Sequence, residues 1–433
     1  MPPTAPATGP TSSSTPPTCT SVAAMTGARD NRGTPIWLLV LGLVAAAANL
    51  RVAVASVPPL VDTISRDLGL SGIALGALTG LPVLCMGVFA PSAGRLAHRI
   101  GAPHAILVAL GCVGVGEAAR LAGGSVPVLY AATTLAGLGI AIGNTLLPGL
   151  VKSLLPPERA GAGTSLYFIA MMAGAAAAAS LSVPLVDRLG SWQASLASWA
   201  VLAAFGALAW WALVRALLRH PTATPAPPAP AAATSTASTA PSRLPWRHPT
   251  ARLLAAYLVM QSSQFFTSLA WLAPSYVGDG WSRADAGLLL TAFTGGQAGG
   301  GLAGPVLADR VEDRRALLLA ATAVTLVGFA GLAAAPAAAP WLWSVVLGAG
   351  QGAAFGIGLT LLVTYAASAA ASARLSGMCF LLAYGTAAFV PSAYGALRDV
   401  TGSLRLGWAL FAGLMIVQAV VVSRLRPDLE RTP

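Results

Sequence analysis

The chain has 433 residues, of which 56% are hydrophobic and only 9% are Asp, Glu, Lys or Arg. Soluble domains carry roughly 25% charged residues, so the composition excludes an ordinary soluble enzyme, a disordered protein and a coiled coil. The net charge of +11 does not indicate a nucleic-acid partner, because Lys152 is the single lysine and the arginines are scattered between apolar runs. The sequence therefore predicts a polytopic membrane protein.

Residues 1–33 are rich in Pro, Thr and Ser and lack the basic start and apolar stretch of a signal peptide, so we expect a disordered cytoplasmic tail. Apolar stretches of about 18–25 residues follow, each long enough to cross a ~30 Å hydrocarbon core. The predicted spans are 36–58, 72–93, 104–122, 127–150, 161–184, 191–214, 250–275, 284–307, 316–335, 340–365, 374–395 and 404–422. They predict an all-α membrane protein with twelve transmembrane helices.

A low-complexity Pro/Ala/Thr linker at 220–248 divides these spans into two equal groups. We therefore expect an N-terminal six-helix bundle at 34–219, a C-terminal one at 249–424 and a cytoplasmic tail at 425–433. The second span resembles the eighth, which predicts two pseudo-symmetric halves with a binding site between them. The matched pairs are Ser71/Ser282, Gly76/Gly287, Leu78/Leu289, Leu96/Leu307, Ala97/Ala308 and Arg99/Arg310.

Most of the 25 basic residues fall in connections on one side of the predicted membrane. Because cytoplasmic loops carry an excess of Lys and Arg, this asymmetry places both termini and the linker in the cytoplasm. We expect a multi-pass protein of the plasma (inner) membrane.

The loop GRLAHRIG, Gly94–Gly101, resembles the signature of the Major Facilitator Superfamily between its second and third helices. His98 stands where the signature has an acid, while a second copy after the eighth span keeps one. The resemblance implies that these loops gate the carrier, through Arg95, His98, Arg99, Asp309 and Arg310. The segments that begin at Asn49, Gly143 and Gln261 resemble the cyanate/nitroimidazole (CynX/NimT) branch, which implies cyanate-like or nitroimidazole-like substrates.

Arg51 lies about 22 Å into the first span at ~1.5 Å per residue. A charge at that depth is costly unless it faces an aqueous cavity or a partner. The guanidinium presents a fork of donors that suits a carboxylate or a small planar anion. The alternative is that Arg51 snorkels to the interface or pairs with an acid near a helix end; we favour the binding role.

The resemblance implies that spans one, four, seven and ten line the central cavity, and each carries a polar residue at mid-depth. We expect substrate contacts from these amides, or hydrogen bonds between helices as the alternative. Aromatic residues in spans five, seven and eleven are weaker candidates for stacking on a planar substrate. Together with Arg51, the candidates are Asn49, Asn144, Gln261, Gln264, Gln351, Tyr167, Trp271 and Tyr384.

No Asp or Glu lies in the central part of a predicted span; Glu117 is the deepest. Glu117 and Arg120 are three residues apart, so we expect an interfacial ion pair rather than a proton site. Arg120 is also a candidate second positive group in the outer vestibule. The lack of a central acid favours an anionic or neutral solute over a cation.

We therefore expect a secondary active transporter of a small anionic or polar solute, with a possible coupling proton, working as a monomer in the bilayer. The alternative is a multidrug exporter of the same superfamily. An intramembrane enzyme is disfavoured, because no HExxH or GxSxG motif is present and no His lies inside a span beyond its first residue, His104. The absence of an ATP-binding GxxxxGK[ST] motif leaves gradients or exchange as the energy source. We expect no cofactor, no metal site and no nucleic-acid partner.

Overall fold

The structure is a computed structural model that describes residues 35–155, 157–219, 244–308, 310–311, 313–426, 429 and 432. These residues form fifteen α-helices. The first half contains α1 (Ile36–Ala55), α2 (Val61–Leu68), α3 (Gly72–Ile100), α4 (Ala102–Ala119), α5 (Val126–Leu154), α6 (Pro157–Leu189), α7 (Trp192–Ser198) and α8 (Ala200–Arg219). The second half contains α9 (Pro249–Gly278), α10 (Arg283–Ala308), α11 (Arg314–Ala334), α12 (Pro340–Thr364), α13 (Ala369–Ala387), α14 (Val390–Thr401) and α15 (Arg405–Ser423).

The predicted all-α membrane class is confirmed, and a long helix or a broken helix covers each of the twelve predicted spans. Ten of these are long and apolar enough to cross a membrane. The helices α9 and α10 have sufficient length, at 30 and 26 residues, but are not among the ten. Their composition explains this, because α9 contains Gln261–Gln264 (Gln-Ser-Ser-Gln) and α10 is rich in glycine.

The first span is interrupted between α1 and α2. A 3₁₀ turn at Pro58–Leu60 follows the end of α1, and its two prolines have no N–H to continue the helical ladder. The break leaves carbonyl groups at the end of α1 without intrahelical donors. One of them, at Ala53, accepts a hydrogen bond from the buried guanidinium of Arg120.

Close helix packing inside the C-terminal bundle depends on glycines in α10 and α12. A Cβ at Gly300 would overlap the backbone of Ala349, and one at Gly352 would overlap that of Gln297. The same contact continues along both helices through Gly296, Gly304 and Gly348. Small residues at intervals of four let two backbones approach to van der Waals distance, which drives helix association in a bilayer.

The two bundles meet through a second row of glycines, on α3. A Cβ at Gly72, Gly76 or Gly80 would overlap the backbone of α14 or of the short connection before it, at Gly395, Pro391 and Ala388 respectively. Further along α3 the contact loosens, because a Cβ at Gly87 would lie 3.5 Å from the Cβ of Tyr384. The bundles are therefore held together most tightly near the N-terminal end of α3.

The related contact joins α10 to α6. A Cβ at Gly287 would meet the carbonyl of Ala179, and Thr291 Oγ1 donates to the Ala176 carbonyl oxygen at 3.1 Å. Gly76 and Gly287 are partners in the sequence repeat, and each contacts the opposite bundle. The pseudo-symmetry thus appears directly in the bundle interface.

Polar contacts between the bundles gather at one membrane face, formed by the N-terminal ends of α3 and α10, by α2 and by the end of α14; we call it the gate face. Arg398 pairs with Asp62 at 3.2 Å between the nearest nitrogen and oxygen, and Arg283 donates to Thr63 at 2.8 Å. The Asp399 carboxylate accepts from the Gly72 N–H at 3.0 Å. This last contact places a negative charge at the positive end of the α3 dipole.

The predicted tails and linker fall largely outside the described residues, which include no part of 1–33 and only 244–248 of 220–248. In the segment predicted as the tail 425–433, Thr432 is fully buried and pairs with the connection between α12 and α13. Its N–H donates to the Tyr365 carbonyl oxygen at 2.8 Å, and its own carbonyl oxygen accepts from Ala367 at 2.9 Å.

Candidate functional site

Arg51 lies near the middle of the 33-residue apolar segment Ile36–Leu68, partly exposed. Its guanidinium carbon stands 5.1 Å from the ring centre of Phe265 and 5.8 Å from that of Phe266, both on α9 of the opposite bundle. Among the described residues it forms no ion pair and no hydrogen bond, and its Nε is buried without a partner. The expected alternative, a pairing with an acid, is therefore not what the structure shows.

Two cation–π contacts offset only part of the cost of this charge. Such a contact contributes about 0.5–2 kcal/mol, whereas an arginine at the centre of a bilayer costs at least roughly 2.5 kcal/mol. The donors of the guanidinium also remain unused. An arginine in this state favours a ligand that brings negative charge and hydrogen-bond acceptors.

The rings around Arg51 form one connected cluster. Phe265 and Phe266 meet edge to face at 4.9 Å, and Phe266 meets Tyr384 of α13 in the same manner at 6.1 Å. Phe380 stacks on Tyr384 at 5.5 Å, and Phe293 of α10 stacks on Phe265 at 6.2 Å. The C-terminal bundle thus contributes an aromatic wall that faces the arginine of the N-terminal bundle.

Asn144 and Tyr167 lie in the N-terminal bundle, and their side chains meet. Tyr167 donates from its hydroxyl to Asn144 Oδ1 at 3.3 Å. Tyr167 and Tyr384 both lie close to Arg51. The structure therefore brings together Arg51, Asn144, Tyr167 and Tyr384 from four different predicted spans.

The candidate glutamines lie elsewhere. Gln261 donates to the Gln351 carbonyl oxygen at 2.9 Å, and Gln264 donates to Gln261 Oε1 at 3.1 Å and to Gln418 Oε1 at 2.8 Å. Gln351 in turn donates to Ser268 at 3.2 Å. All four glutamines are at most 1% exposed. Here the structure shows the interhelical alternative, a buried amide network inside the C-terminal bundle.

Two further candidates are also held away from Arg51. Asn49 is fully buried and donates to the carbonyl oxygens of Ala45 and Leu202, so it joins α1 to α8. Trp271 donates from its indole N–H to the Pro391 carbonyl oxygen at 2.9 Å and lies under Arg398 at the gate face. Both side chains serve helix packing in this conformation.

The expectation that Glu117 and Arg120 form an interfacial ion pair is wrong. Both are fully buried, and the structure records no ion pair between these two described residues. Arg120 donates to the Ala53 carbonyl oxygen at 3.1 Å, and neither carboxyl oxygen of Glu117 has a hydrogen-bond partner. Arg120 is therefore not a vestibule residue here; it satisfies the broken end of α1.

The resemblance implied gating by the loops that follow α3 and α10. These loops lie at the other membrane face, away from the contacts defined above as the gate face. Arg95, His98 and Arg99 are exposed in the last turns of α3, and Arg310 is exposed after α10. Asp309 lies outside the described residues. Four residues later in the sequence, Asp313 caps α11 and pairs with Arg315 at 2.7 Å, and this guanidinium holds the pKa of the Asp313 carboxyl below its usual range.

Sequence reasoning missed the residues that face Arg51 most closely, Phe265 and Phe266. They follow Gln264 directly, inside the segment quoted for its family resemblance, but aromatic residues in a span are more often packing residues. Within the part of the chain that the structure describes, no group of three or more His, Cys, Asp or Glu side chains is suited to hold a metal ion.

Comparison with known proteins finds relatives that are named as transport proteins. The uncharacterized transporter YycB of Bacillus subtilis is 32% identical over 389 residues, which cover 89% of this chain and 93% of the relative. The 2-nitroimidazole transporter of Escherichia coli is 31% identical over 89% of this chain and 95% of its own. The E. coli cyanate transport protein CynX is 28% identical over 90% and 97%. The resemblance drawn from the sequence is confirmed.

Solved structures share the fold. The nucleoside transporter NupG superposes with a TM-score of 0.71 at 14% identity, over 89% of this chain and 99% of that one. A D-xylose–proton symporter gives 0.67 at 14% identity, over 91% and 98%. The family model described as Major Facilitator Superfamily matches residues 38–279. The chain is a multi-pass membrane transporter that belongs to the Major Facilitator Superfamily.

Proposed function

We propose that the protein is a secondary active transporter that moves a small anionic or polar, planar solute across the inner membrane by alternating access, with both termini in the cytoplasm. The observation that carries the proposal is Arg51, a guanidinium with unused donors over the rings of Phe265 and Phe266, inside an apolar segment long enough to cross the membrane. The relatives named for cyanate and 2-nitroimidazole support a solute of this chemistry.

The site suits such a solute in two ways. Arg51 supplies positive charge and a planar set of donors for a negative or electron-rich group. The aromatic wall of Phe265, Phe266 and Tyr384 offers faces on which a flat solute stacks. Because Arg51 belongs to one bundle and the wall to the other, a bound solute contacts both halves, as alternating access about a midplane site requires.

The aromatic wall also supports the second candidate, an exporter of lipophilic compounds. That function needs ring contacts and volume but no anchoring charge. The two functions therefore differ in their dependence on Arg51, and one substitution separates them.

A ligand panel on wild type and Arg51→Gln tests the proposal. Cyanate or 2-nitroimidazole at a concentration of 100 times Kd is expected to stabilise the wild type by about 2.7 kcal/mol, and to leave Arg51→Gln unchanged because the anchoring charge is gone. The measurement is the shift in thermal unfolding of the purified protein.

Arg215→Gln is the matched control, because Arg215 also stacks on a ring, that of Trp211 at 4.0 Å, near the end of α8. This variant is expected to respond to ligand as the wild type does. Stabilisation of wild type and Arg51→Gln alike by bulky lipophilic cations or neutral drugs would overturn Arg51 as the anchor and establish the exporter.

A further inference from the structure

We propose that Glu117 is the proton-binding site of this transporter. Arg120 transmits the protonation state of Glu117 to α1 by changing its hydrogen-bond acceptor. With Glu117 protonated, Arg120 binds the Ala53 carbonyl oxygen; with Glu117 ionised, Arg120 turns to the carboxylate. The connection of this proton to transport rests on the function proposed above, whereas the site itself rests on the contacts of Glu117 and Arg120.

The contacts match the protonated state. Both side chains are fully buried, and within the described part of the chain both carboxyl oxygens of Glu117 lack a hydrogen-bond partner, as do Nε and Nη1 of Arg120. An ionised carboxylate in that setting would be buried without a donor, which is very costly, whereas the neutral acid loses much less. Arg120 keeps its charge in either state and here uses the Ala53 carbonyl oxygen at 3.1 Å.

The alternative state is within reach. Glu117 and Arg120 are three residues apart at the end of α4, where side chains at this spacing are neighbours on one helix face. A rotation of the Arg120 side chain would pair it with an ionised carboxylate and release the Ala53 carbonyl. Proton binding thus changes the pair from neutral to a net charge of +1 and changes what holds the end of α1.

The surroundings leave Glu117 as the group that titrates. Arg120 is the charged group that acts on it. The segments around α4 contribute buried side chains with spare hydrogen-bonding capacity that do not titrate: Ser56 just after α1, Thr133 from α5 and Trp199 from between α7 and α8. Tyr130 of α5 donates its hydroxyl to the Ala74 carbonyl oxygen, and Arg51 of α1 faces Phe265.

Ala53 connects this site to the proposed substrate site, because it is two residues from Arg51 on the same helix. Protonation adds a positive charge near the arginine that would hold an anion. The binding of a proton and of an anion are then mutually favourable, as linkage requires of any coupled pair. One proton carried with each monovalent anion makes the transport step electrically neutral.

Infrared difference spectroscopy of the purified, ligand-free protein tests the site without any substrate. During an acid–base titration the wild type is expected to show the C=O band of a protonated, buried carboxyl, and Glu117→Gln is expected to lack it. Asp187→Asn, which removes an exposed acid of the same bundle, should retain it. Identical carboxyl spectra of wild type and Glu117→Gln would overturn the proposal.

A second variant keeps the infrared test decisive if Glu117→Gln does not fold. Should Glu117→Gln fail to fold, the double variant Glu117→Gln/Arg120→Gln removes both charges together and leaves no buried ion alone. It is expected to lack the same carboxyl band.

Cyanate binding as a function of pH tests the coupling. For one linked proton, the apparent Kd of the wild type is expected to rise by up to about tenfold per pH unit above the titration midpoint, and that of Glu117→Gln to stay constant. A pH-independent Kd in the wild type would refute the coupling. If the wild type binds neither cyanate nor 2-nitroimidazole, the proposed function fails while the infrared result still decides the proton site.

Discussion

Replacement of Gly76 by leucine is expected to reduce transport by about tenfold or more while the protein remains folded. Gly76 packs directly on the backbone of Pro391 in the other bundle, where no side chain can move aside for an added Cβ. Overpacking of this kind costs typically 1–3 kcal/mol or more, and here the bundles relieve it by separating at the gate face. The population closed at that face should fall by about tenfold or more, since 1.4 kcal/mol is a factor of ten.

The distance between spin labels at positions 66 and 401 measures this separation, in a background without the four native cysteines. Both positions are exposed at the gate face, one in each bundle. We expect a longer distance in Gly76→Leu than in the parent. Gly111→Leu is the control, because a Cβ at Gly111 meets no atom within 4 Å and should change neither distance nor transport. An unchanged distance in Gly76→Leu would show that α3 and α14 yield locally, and that these glycines do not set the conformation.

Replacement of Gly300 by leucine is expected to act on folding instead. A Cβ at Gly300 overlaps the Ala349 backbone inside one bundle, so the strain has no domain motion to relieve it. For a cooperative unit of the size of one bundle, a penalty of roughly 2–3 kcal/mol predicts a decrease in Tm on the order of 5–10 °C. The measurement is thermal unfolding in detergent, followed by the fraction of monodisperse protein.

The neighbouring residue is a matched control, because Gly299 is exposed and a Cβ there meets no atom within 4 Å. Gly299→Leu should therefore unfold at the wild-type temperature. If Gly299→Leu and Gly300→Leu show the same decrease in Tm, the loss of glycine itself determines the stability, and the packing of α10 on α12 does not.

Apolar runs and the repeat were sufficient to predict the helices and the two bundles, because the length of a span is set by the bilayer. The place of Arg51 within its apolar run was also readable from the sequence, and it made Arg51 a candidate. The sequence did not show which way each polar side chain points around its helix. Asn49 and Arg51 are two residues apart, about 200° around a helix, so they cannot both face one cavity; Asn49 instead binds α8.

The glutamines show a second limit of the sequence. Gln261 and Gln264 share a helix face, and that face turns toward Gln418 of α15. The choice between a cavity and a buried network depends on which helices pack together, and the spacing within α9 carries no information about α15. The burial of Glu117 was missed for a related reason. Its place near the end of a predicted span suggested an interface, whereas the break in α1 created a buried acceptor for its neighbour Arg120.

The polar character of α9 has a consequence for the biogenesis of the protein. Six of its polar side chains are buried by other helices: Gln261, Ser262, Ser263, Gln264, Thr267 and Ser268. Their partners include the Gln351 backbone of α12 and Gln418 of α15, which are synthesised later. When α9 leaves the ribosome, the lipid offers these groups no hydrogen bonds. The hydrogen bonds of α9 are therefore completed only when α15 arrives, and chains that end before α15 should be cleared by membrane proteases.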